Sequence, residues 1–452
     1  MSERDTIISL ATIAGESALG IIRISGSLCT QLCTDIFDKI SPTPRKTFVK
    51  NYRSLSGKIV DQVLAVFFEY GKSYTGEETL EITLHGNTLI ANLILDDLIR
   101  RNCRLADPGE YTKRAYLNGK LDLTQAEAVA ELIAAKSEIE LEIANHQLLG
   151  SLSNKLLEIQ SQLIHLQAKF EASIDFPEDE IKEYNIPEIL NLIIPIKESV
   201  NRLIKSTDIK SSLSQGIKIS LVGPPNVGKS SIFNKLLHTN RAIVSCEPGT
   251  TRDYLSKEIV ISGYAIELFD TAGIRETNLN LETLGIKNSI EVIKDSSIVL
   301  LVFDSSLPYP SDFFEYIKEE IKSQSIIIIE NKSDLERVIT SENYPTHFSV
   351  IKSSTLNENC SNEILNEVSR ALVGKYKIDP SADILVSKRQ HKHLTDSLSH
   401  INEVQSLLTD AINEEFILQE LKMCIQCINA IIGQTDNEDM LDELFKNFCI
   451  GK

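Results

Sequence analysis

Apolar residues follow different periods in successive stretches of the chain, and each change of period predicts a change of architecture. From residue 1 to about 118, short β-rich runs such as Gly20-Ile21-Ile22-Arg23-Ile24-Ser25 and Val63-Leu64-Ala65-Val66-Phe67-Phe68 are separated by turn residues. A helical period over about 88 to 100 lies between them, so this region reads as α+β. From Thr124 the period becomes helical. Thr124 and Glu127 have the spacing of a capping box, and Val129, Leu132, Ile133, Ile139 and Ile143 follow without proline or glycine until Gly150, which predicts one long helical pattern. A second run reaches about Phe170. After Pro177 and Pro187 a third, with Ile189, Leu190, Leu192, Ile193, Ile196 and Val200, leads into a polar stretch near 206 to 215 that reads as a linker.

Between about 216 and 375 the apolar runs shorten and lose their polar positions. Ile217 to Val222, Ile298 to Phe303 and Ile326 to Ile329 read as buried strands of a parallel α/β sheet. After 380 the helical period returns, with Leu394, Leu398, Ile401, Val404, Leu407 and Leu408 on one face. The chain therefore reads as multidomain: an α+β region over 1–118, an all-α helical domain in two parts over 119–215 and 376–452, and an α/β unit over 216–375 inserted between them.

Composition narrows the classes of function. Hydrophobic residues make up 42% and charged residues 24%, as in ordinary globular proteins, and no apolar run approaches the roughly 18 residues needed to span a bilayer. The N-terminal Met1-Ser2-Glu3-Arg4-Asp5 lacks the basic-then-apolar pattern of a signal peptide, so a cytoplasmic protein with reduced cysteines is expected. Of the eight cysteines only Cys424 and Cys427 are close. They lie within a helical pattern, with no second pair at zinc-ribbon spacing. The net charge of -18 argues against a broad nucleic-acid grip, so any RNA contact should be local or shared. Arg100, Arg101, Arg104, Lys113 and Arg114, with Lys388, Arg389, Lys392, His391 and His393, are the basic clusters available for it.

The most informative chemistry follows the apolar run at 217. Gly223-Pro224-Pro225-Asn226-Val227-Gly228-Lys229-Ser230 is a phosphate loop in strand–loop–helix context. Its glycines let backbone amides curl around phosphate oxygens, Lys229 neutralises them, and Ser230 can ligate Mg2+. Downstream, Pro248-Gly249-Thr250-Thr251-Arg252-Asp253 offers a threonine to complete the Mg2+ shell. Asp270-Thr271-Ala272-Gly273, after the strand-like Ala265 to Phe269, offers Asp270 to hold Mg2+ through water and the Gly273 amide to sense a terminal phosphate. Asn331-Lys332-Ser333-Asp334 follows the next strand, and Asp334 can accept two hydrogen bonds from a guanine edge. Order and spacing together predict a GTP site and a GTP-hydrolysing enzyme. Ile274 stands where Ras-like enzymes place a water-orienting glutamine, so hydrolysis must be organised by other groups from the loops 245–251 and 274–285, Glu282 among them.

These motifs, with Tyr74-Thr75-Gly76-Glu77, Leu80-Glu81, Pro108-Gly109-Glu110, Leu117-Asn118-Gly119-Lys120-Leu121-Asp122-Leu123 and the terminal Phe448-Cys449-Ile450-Gly451-Lys452, resemble the bacterial tRNA-modification GTPase family MnmE (TrmE) over nearly the whole chain. The resemblance implies a Ras-like P-loop GTPase domain at 216–375 and an N-terminal folate-binding and dimerisation domain. It also implies a homodimer working with the flavoprotein MnmG, which carries FAD, to modify C5 of the tRNA wobble uridine. It assigns K+ to Asn226, Ser245, Glu247 and Thr250, Mg2+ to Ser230 and Thr251, and water positioning to Glu282. Nucleotide contacts fall to Asn226, Val227, Gly228, Lys229, Ser230 and Ser231, to Ser245, Cys246, Glu247, Pro248, Gly249, Thr250 and Thr251, to Asp270, Thr271, Ala272 and Gly273, and to Asn331, Lys332 and Asp334. A 5,10-methylene- or 5-formyl-tetrahydrofolate is expected on Arg23, Glu81, Lys120 and Lys452, with Cys449 beside it as a participant in the chemistry. Ser245, Glu247 and the segment Ser353-Ser354-Thr355 depart from the commoner family residues, and the last departure lowers the expected affinity for the base.

Two other classes fit less well. A ribosome-assembly RNA-binding GTPase would carry a basic module after its nucleotide domain, whereas this chain ends in an acidic helical segment with Asp436, Glu438, Asp439, Asp442 and Glu443. A membrane-remodelling GTPase would need a lipid-facing element, and none is visible.

Overall fold

The computed structural model describes residues 5–38, 41–175, 186–239, 255–270, 293–317, 324–339, 344, 348–409, 414–434, 438–446, 448 and 451. They form two compact units, one of residues 1–133, 146–200 and 392–452, the other of residues 134–145 and 201–391.

In the first unit, strands β1 (Ile7–Leu10), β2 (Leu19–Ser25), β3 (Phe48–Arg53), β4 (Ile59–Phe68), β5 (Thr79–His85) and β6 (Arg104–Leu105) form one sheet in the order β3-β4-β5-β2-β1-β6. All neighbours are antiparallel except β1 and β6. Alternation along β2 and β5 sends Ile22, Ile24, Leu80 and Ile82 into a core shared with α1 (Cys29–Ile36) and α2 (Thr88–Arg100). The same alternation leaves Arg23 and Glu81, which are register partners, together on the opposite face. Helix α2 occupies the residues predicted for it, and its N-cap Asn87 accepts from the amides of Leu89 and Ile90 at 2.8 and 3.3 Å.

Helix α3 (Glu110–Leu117) is followed by α4 (Leu123–Ala134), α5 (Glu138–Leu148) and α6 (Ser151–Asp175). The predicted capping box at Thr124 and Glu127 is corrected: the box is Asp122 and Gln125. Asp122 Oδ1 accepts from the Thr124 and Gln125 amides at 2.8 and 3.0 Å, and Gln125 Oε1 accepts from the Asp122 amide at 3.0 Å. Asp122 competes better because its side chain precedes the helix, whereas Thr124 is already inside it and is buried. The single long pattern expected up to Gly150 is also broken. At Ser137 a new helix is capped, with the Glu140 amide on Ser137 Oγ at 3.3 Å, and Glu140 Oε2 reaches back to the Lys136 amide at 3.0 Å.

Helix α7 (Ile186–Ser214) runs through the stretch read as a polar linker. The polarity misled because Ser206 and Thr207 are buried, with the Ser206 hydroxyl bonded to Leu203 O at 2.7 Å and Thr207 paired with His391. On α6 the buried positions Leu152, Leu156, Ile159, Leu163, Leu166 and Phe170 alternate spacings of four and three. Ile417, Leu421, Cys424, Ile428 and Ile431 do the same on α12 (Glu414–Ile432), and α6 packs along α12. This bundle and α13 (Glu438–Phe445), whose Leu441 and Phe445 pack with Leu123 and Ala126, complete the first unit.

The second unit centres on β7 (Ile217–Val222), β8 (Leu255–Ile261), β9 (Tyr264–Asp270), β10 (Ile298–Asp304), β11 (Ser325–Asn331) and β12 (Ser349–Lys352), ordered β12-β11-β10-β7-β9-β8. Five strands are parallel, as their apolar runs predict. The edge strand β8 is antiparallel to β9, which corrects the all-parallel expectation. The cause is local: Ser262 and Gly263, with φ of +50° and +82°, form a two-residue hairpin turn that returns the chain beside itself. Leu300 and Val302 of β10 face a core with α8 (Lys229–Thr239) and α10 (Cys360–Tyr376), while Val299, Leu301 and Phe303 face a second core with α9 (Ser311–Ile317). Burial on both faces is why that strand has no polar alternation. Helix α11 (Lys388–Thr409) follows.

Candidate functional site

Strand β7 lies between β10 and β9, where the strand order reverses direction, so the loop after its C-terminal end opens at a topological switch point. That loop is residues 223–228, and its glycines are dictated by close approach. A Cβ on Gly223 would meet Val302 O at 2.1 Å, and one on Gly228, at φ +99°, would meet Asn331 Nδ2 at 2.2 Å. Asn226 is exposed at the loop tip with φ +61°. Helix α8 begins at Lys229, with Ser230 and Ser231 exposed in its first turn.

Lys229 is 7% exposed, and its ammonium donates to Gly223 O and Pro224 O, both at 2.8 Å. Burial lowers its pKa, opposed in part by the charge of Asp270. Asp270, 2% exposed, ends β9 opposite Leu221 of β7, which brings it to the same end of the sheet as the loop. Asn331 ends β11 and donates from Nδ2 to Val227 O at 2.7 Å, joining the phosphate loop to the Asn331–Asp334 segment. Its Oδ1 is buried without a hydrogen-bond partner among the described residues, which is the state of a polar group built to meet a ligand.

Lys332, at φ +61°, is held by Asp304 Oδ2 at 2.6 Å and by Ser305 Oγ, which donates to its carbonyl at 3.1 Å. Burial would raise the Asp304 carboxyl, but Lys332 and Ser306 hold it below the usual range. Asp334 accepts from the Ser354 hydroxyl, and the Ser333 amide donates to Ser353 O at 3.0 Å. The departing Ser353-Ser354-Thr355 segment thus orients the carboxylate that sequence analysis assigned to the base. Ser245 to Thr251, Thr271 to Gly273 and Glu282 lie outside the described residues, as do Cys449 and Lys452.

A second constellation lies in the first unit. Arg23 donates from Nε to Glu81 Oε1 at 2.8 Å and from Nη1 to Gly451 O at 3.2 Å, so Gly451 reaches the polar face of the sheet. The guanidinium stands 6.0 Å from the Tyr74 ring and 5.7 Å from the Tyr111 ring, and the Tyr111 hydroxyl donates to Arg23 O at 2.7 Å. Lys120 is exposed and donates to Gly71 O at 2.5 Å, on the loop that carries Tyr74. Arg23, Glu81 and Gly451 are therefore gathered. Lys120 holds the adjoining loop. Tyr74 lies in the Tyr74-Thr75-Gly76-Glu77 motif that carries the resemblance but was given no role from sequence, and Tyr111 was not singled out at all.

The first basic cluster does not form a free cationic surface. Arg114 is 5% exposed and pairs with Glu77 at 3.0 Å, Glu110 at 2.8 Å and Asp5 at 2.9 Å. Arg104 pairs with Asp5 and Glu110, Arg101 with Asp97, and Lys113 with Asp442. Four of the five cations of that cluster are thus neutralised, partly by acids on the same helix turn, Asp97 and Glu110, and partly by Asp5, Glu77 and Asp442 from elsewhere in the chain. Cys424 is buried against the Ser397 hydroxyl at 3.0 Å, and burial pushes its thiol up to about 12.

Comparison with known proteins gives the family. A family model described as the GTP-binding protein TrmE N-terminus matches residues 6–120, and one described as the MnmE helical domain matches residues 123–449. Curated relatives named tRNA modification GTPase MnmE match end to end. The protein of Opitutus terrae is 38% identical over 450 residues, covering 99% of each chain. That of Aquifex aeolicus is 36% identical over 456 residues, covering 99% of this chain and 100% of its own, and that of Clostridioides difficile is 35% identical over 457 residues, covering 99% of each. Two adjoining domain matches and this full-length similarity establish that the chain belongs to the tRNA modification GTPase MnmE family.

Proposed function

We propose that this protein binds and hydrolyses GTP and couples hydrolysis to C5 modification of the wobble uridine of tRNA, forming aminomethyl or carboxymethylaminomethyl uridine. The observation that carries the reading is the joining of the phosphate loop to the base loop through Asn331 Nδ2 and Val227 O, with Lys229 and Asp270 at the same end of the sheet. In this reading Asn226 to Ser231, Ser245 to Thr251, Asp270 to Gly273, and Asn331, Lys332 and Asp334 hold the nucleotide. Lys229 neutralises phosphate, Ser230 and Thr251 ligate Mg2+, and Glu282 positions the attacking water. Ile274 cannot orient water, so a K+ held by Asn226, Ser245, Glu247 and Thr250 supplies the positive charge opposite the developing phosphoryl charge.

The residues of the second constellation suit a folate. Arg23 and Lys452 provide cations for carboxylates, Glu81 an acceptor for a pterin ring, and the exposed Tyr74 a flat apolar wall, while the buried Tyr111 backs Arg23. A bound tetrahydrofolate would supply the one-carbon unit, with Cys449 and Lys120 beside it. Residues 1–118 would bind folate and dimerise, 119–215 and 376–452 would form the helical domain, and 216–375 would be a Ras-like GTPase domain inserted in it. Tests for further partners follow the same reading: a homodimer, the flavoprotein MnmG with its FAD, and tRNA, in the cytoplasm. Among the described residues no helix is long and apolar enough to cross a membrane.

The experiment is nucleoside mass spectrometry of tRNA from cells lacking the gene, paired with GTP turnover by the purified protein in KCl and in NaCl. Loss of the wobble modification and faster turnover in KCl are expected. Unaltered wobble uridines would overturn the functional reading, and equal rates in the two salts would remove the K+ assignment.

A further inference from the structure

The nucleotide reading above assigns no role to Glu330, the residue immediately before Asn331. Its placement is costly. It belongs to β11 and shares a face with Ile328, so its side chain points into the second core of the α/β unit, where Phe303 stacks on Tyr344 with ring centroids 6.1 Å apart. The carboxylate is 1% exposed. A lone carboxylate in such a layer is strongly disfavoured unless a cation meets it with good geometry. That cation is Arg337, which reaches in from the far side of the base loop, Nε to Oε2 at 3.0 Å and Nη2 to Oε1 at 2.7 Å. The fork is bidentate, so it fixes orientation as well as distance.

The pair closes a ring around Asn331-Lys332-Ser333-Asp334. Other ties of the segment run to neighbouring loops: Ser305 N to Asn331 O at 2.9 Å, Val338 N to Ser305 O at 2.8 Å, Ser353 N to Glu330 O at 2.8 Å and Ser333 N to Ser353 O at 3.0 Å, with Lys332 on Asp304 and Asp334 on the Ser354 hydroxyl. Ser305 bridges the two ends through its backbone, whereas Glu330 and Arg337 join them to each other directly. Ser333, Asp334 and Leu335 are exposed and the Lys332 backbone is left-handed, so Asp334 is held by hydrogen bonds, that from Ser354 and those that fix the ends of the segment, and not by apolar packing. We infer that Glu330 and Arg337 are positioning residues for base recognition: their ion pair straps the ends of the base loop together so that the Asp334 carboxylate is preorganised for the guanine edge. The inference rests on the GTP reading and deepens it, because an ion pair that touches no ligand here sets base selectivity.

The test uses the full-length protein, with calorimetric titration of GDP and of inosine diphosphate, whose base lacks the 2-amino group that Asp334 would accept from. The informative variant is the double substitution Glu330→Leu with Arg337→Leu, which removes the strap without leaving a buried charge and so keeps the core apolar. Arg337→Lys, a single point donor, serves as the conservative comparison. Wild type is expected to favour GDP over inosine diphosphate. The double variant should bind GDP roughly tenfold more weakly, with that preference largely lost, and Arg337→Lys should fall between. A purely structural pair would lower the melting temperature and leave the GDP-to-inosine-diphosphate ratio intact, and that result would overturn the strap. Wild type binding GDP and ADP equally would overturn the GTP reading and the strap with it.

Discussion

The Lys229 ammonium rests on two carbonyls of its own loop and is almost fully buried, an arrangement that disfavours its charge in the nucleotide-free protein. A phosphate would reverse that balance. Replacement by methionine is therefore expected to leave the melting temperature of the free protein unchanged or higher while abolishing the stabilisation given by added GDP. Thermal melts with and without GDP check this; a Lys229→Met protein still stabilised by GDP contradicts the assignment. Residues of this kind were legible in the sequence because Gly223, Gly228 and Lys229 are required locally, by backbone conformation and close approach. Asp304 was not, and Ser354 was marked only as part of a departing segment, without its bond to Asp334. They act through Lys332 and Asp334, and only folding brings those pairs together, although a charged residue ending the apolar run Ile298 to Phe303 was a visible hint.

Helices and strands were legible where their signal is periodic. Helix α2 and the strands β7, β10 and β11 lie where the apolar pattern put them. Boundaries set by polar side chains were harder to read, since Asp122, Thr124 and Ser137 all resemble caps and the choice depends on which side chain leads its helix. Asp122 also accepts from the hydroxyls of Thr124 at 2.7 Å and Ser153 at 2.6 Å, which ties α4 to α6. Asp122→Ala is expected to cost about 2 kcal/mol, the upper end for a cap, measured as a lower urea midpoint of the first unit's transition. A midpoint unchanged from wild type would return the cap to Thr124. Helix α7 shows the limit of polarity as a guide, because serine and threonine hydroxyls that bond locally can be buried in a helix as readily as they can be solvated in a linker.

Across the whole molecule the acids outnumber the bases, 64 to 46, yet the N-terminal arginines are deeply paired. Hydrogen bonds from Arg104 and Arg114 lower the Asp5 carboxyl, and they outweigh burial to lower that of Glu110. A carboxyl depressed in the fold contributes stability that is complete above its unfolded value and is lost as the pH falls through its folded value. The first unit should accordingly lose melting temperature as pH falls below about 4.5, the ordinary value for Glu110. Glu110→Gln should flatten that limb, and an unchanged acid slope would show that the network does not govern it. By itself the sequence determined the phosphate loop, helix α2 and the strands β2, β4, β7, β9, β10 and β11, because glycine positions and apolar periods are properties of neighbouring residues. Only the tertiary structure decided which charges are free, because the partners of Arg114 come from residues 5, 77 and 110, and desolvation belongs to the packed environment.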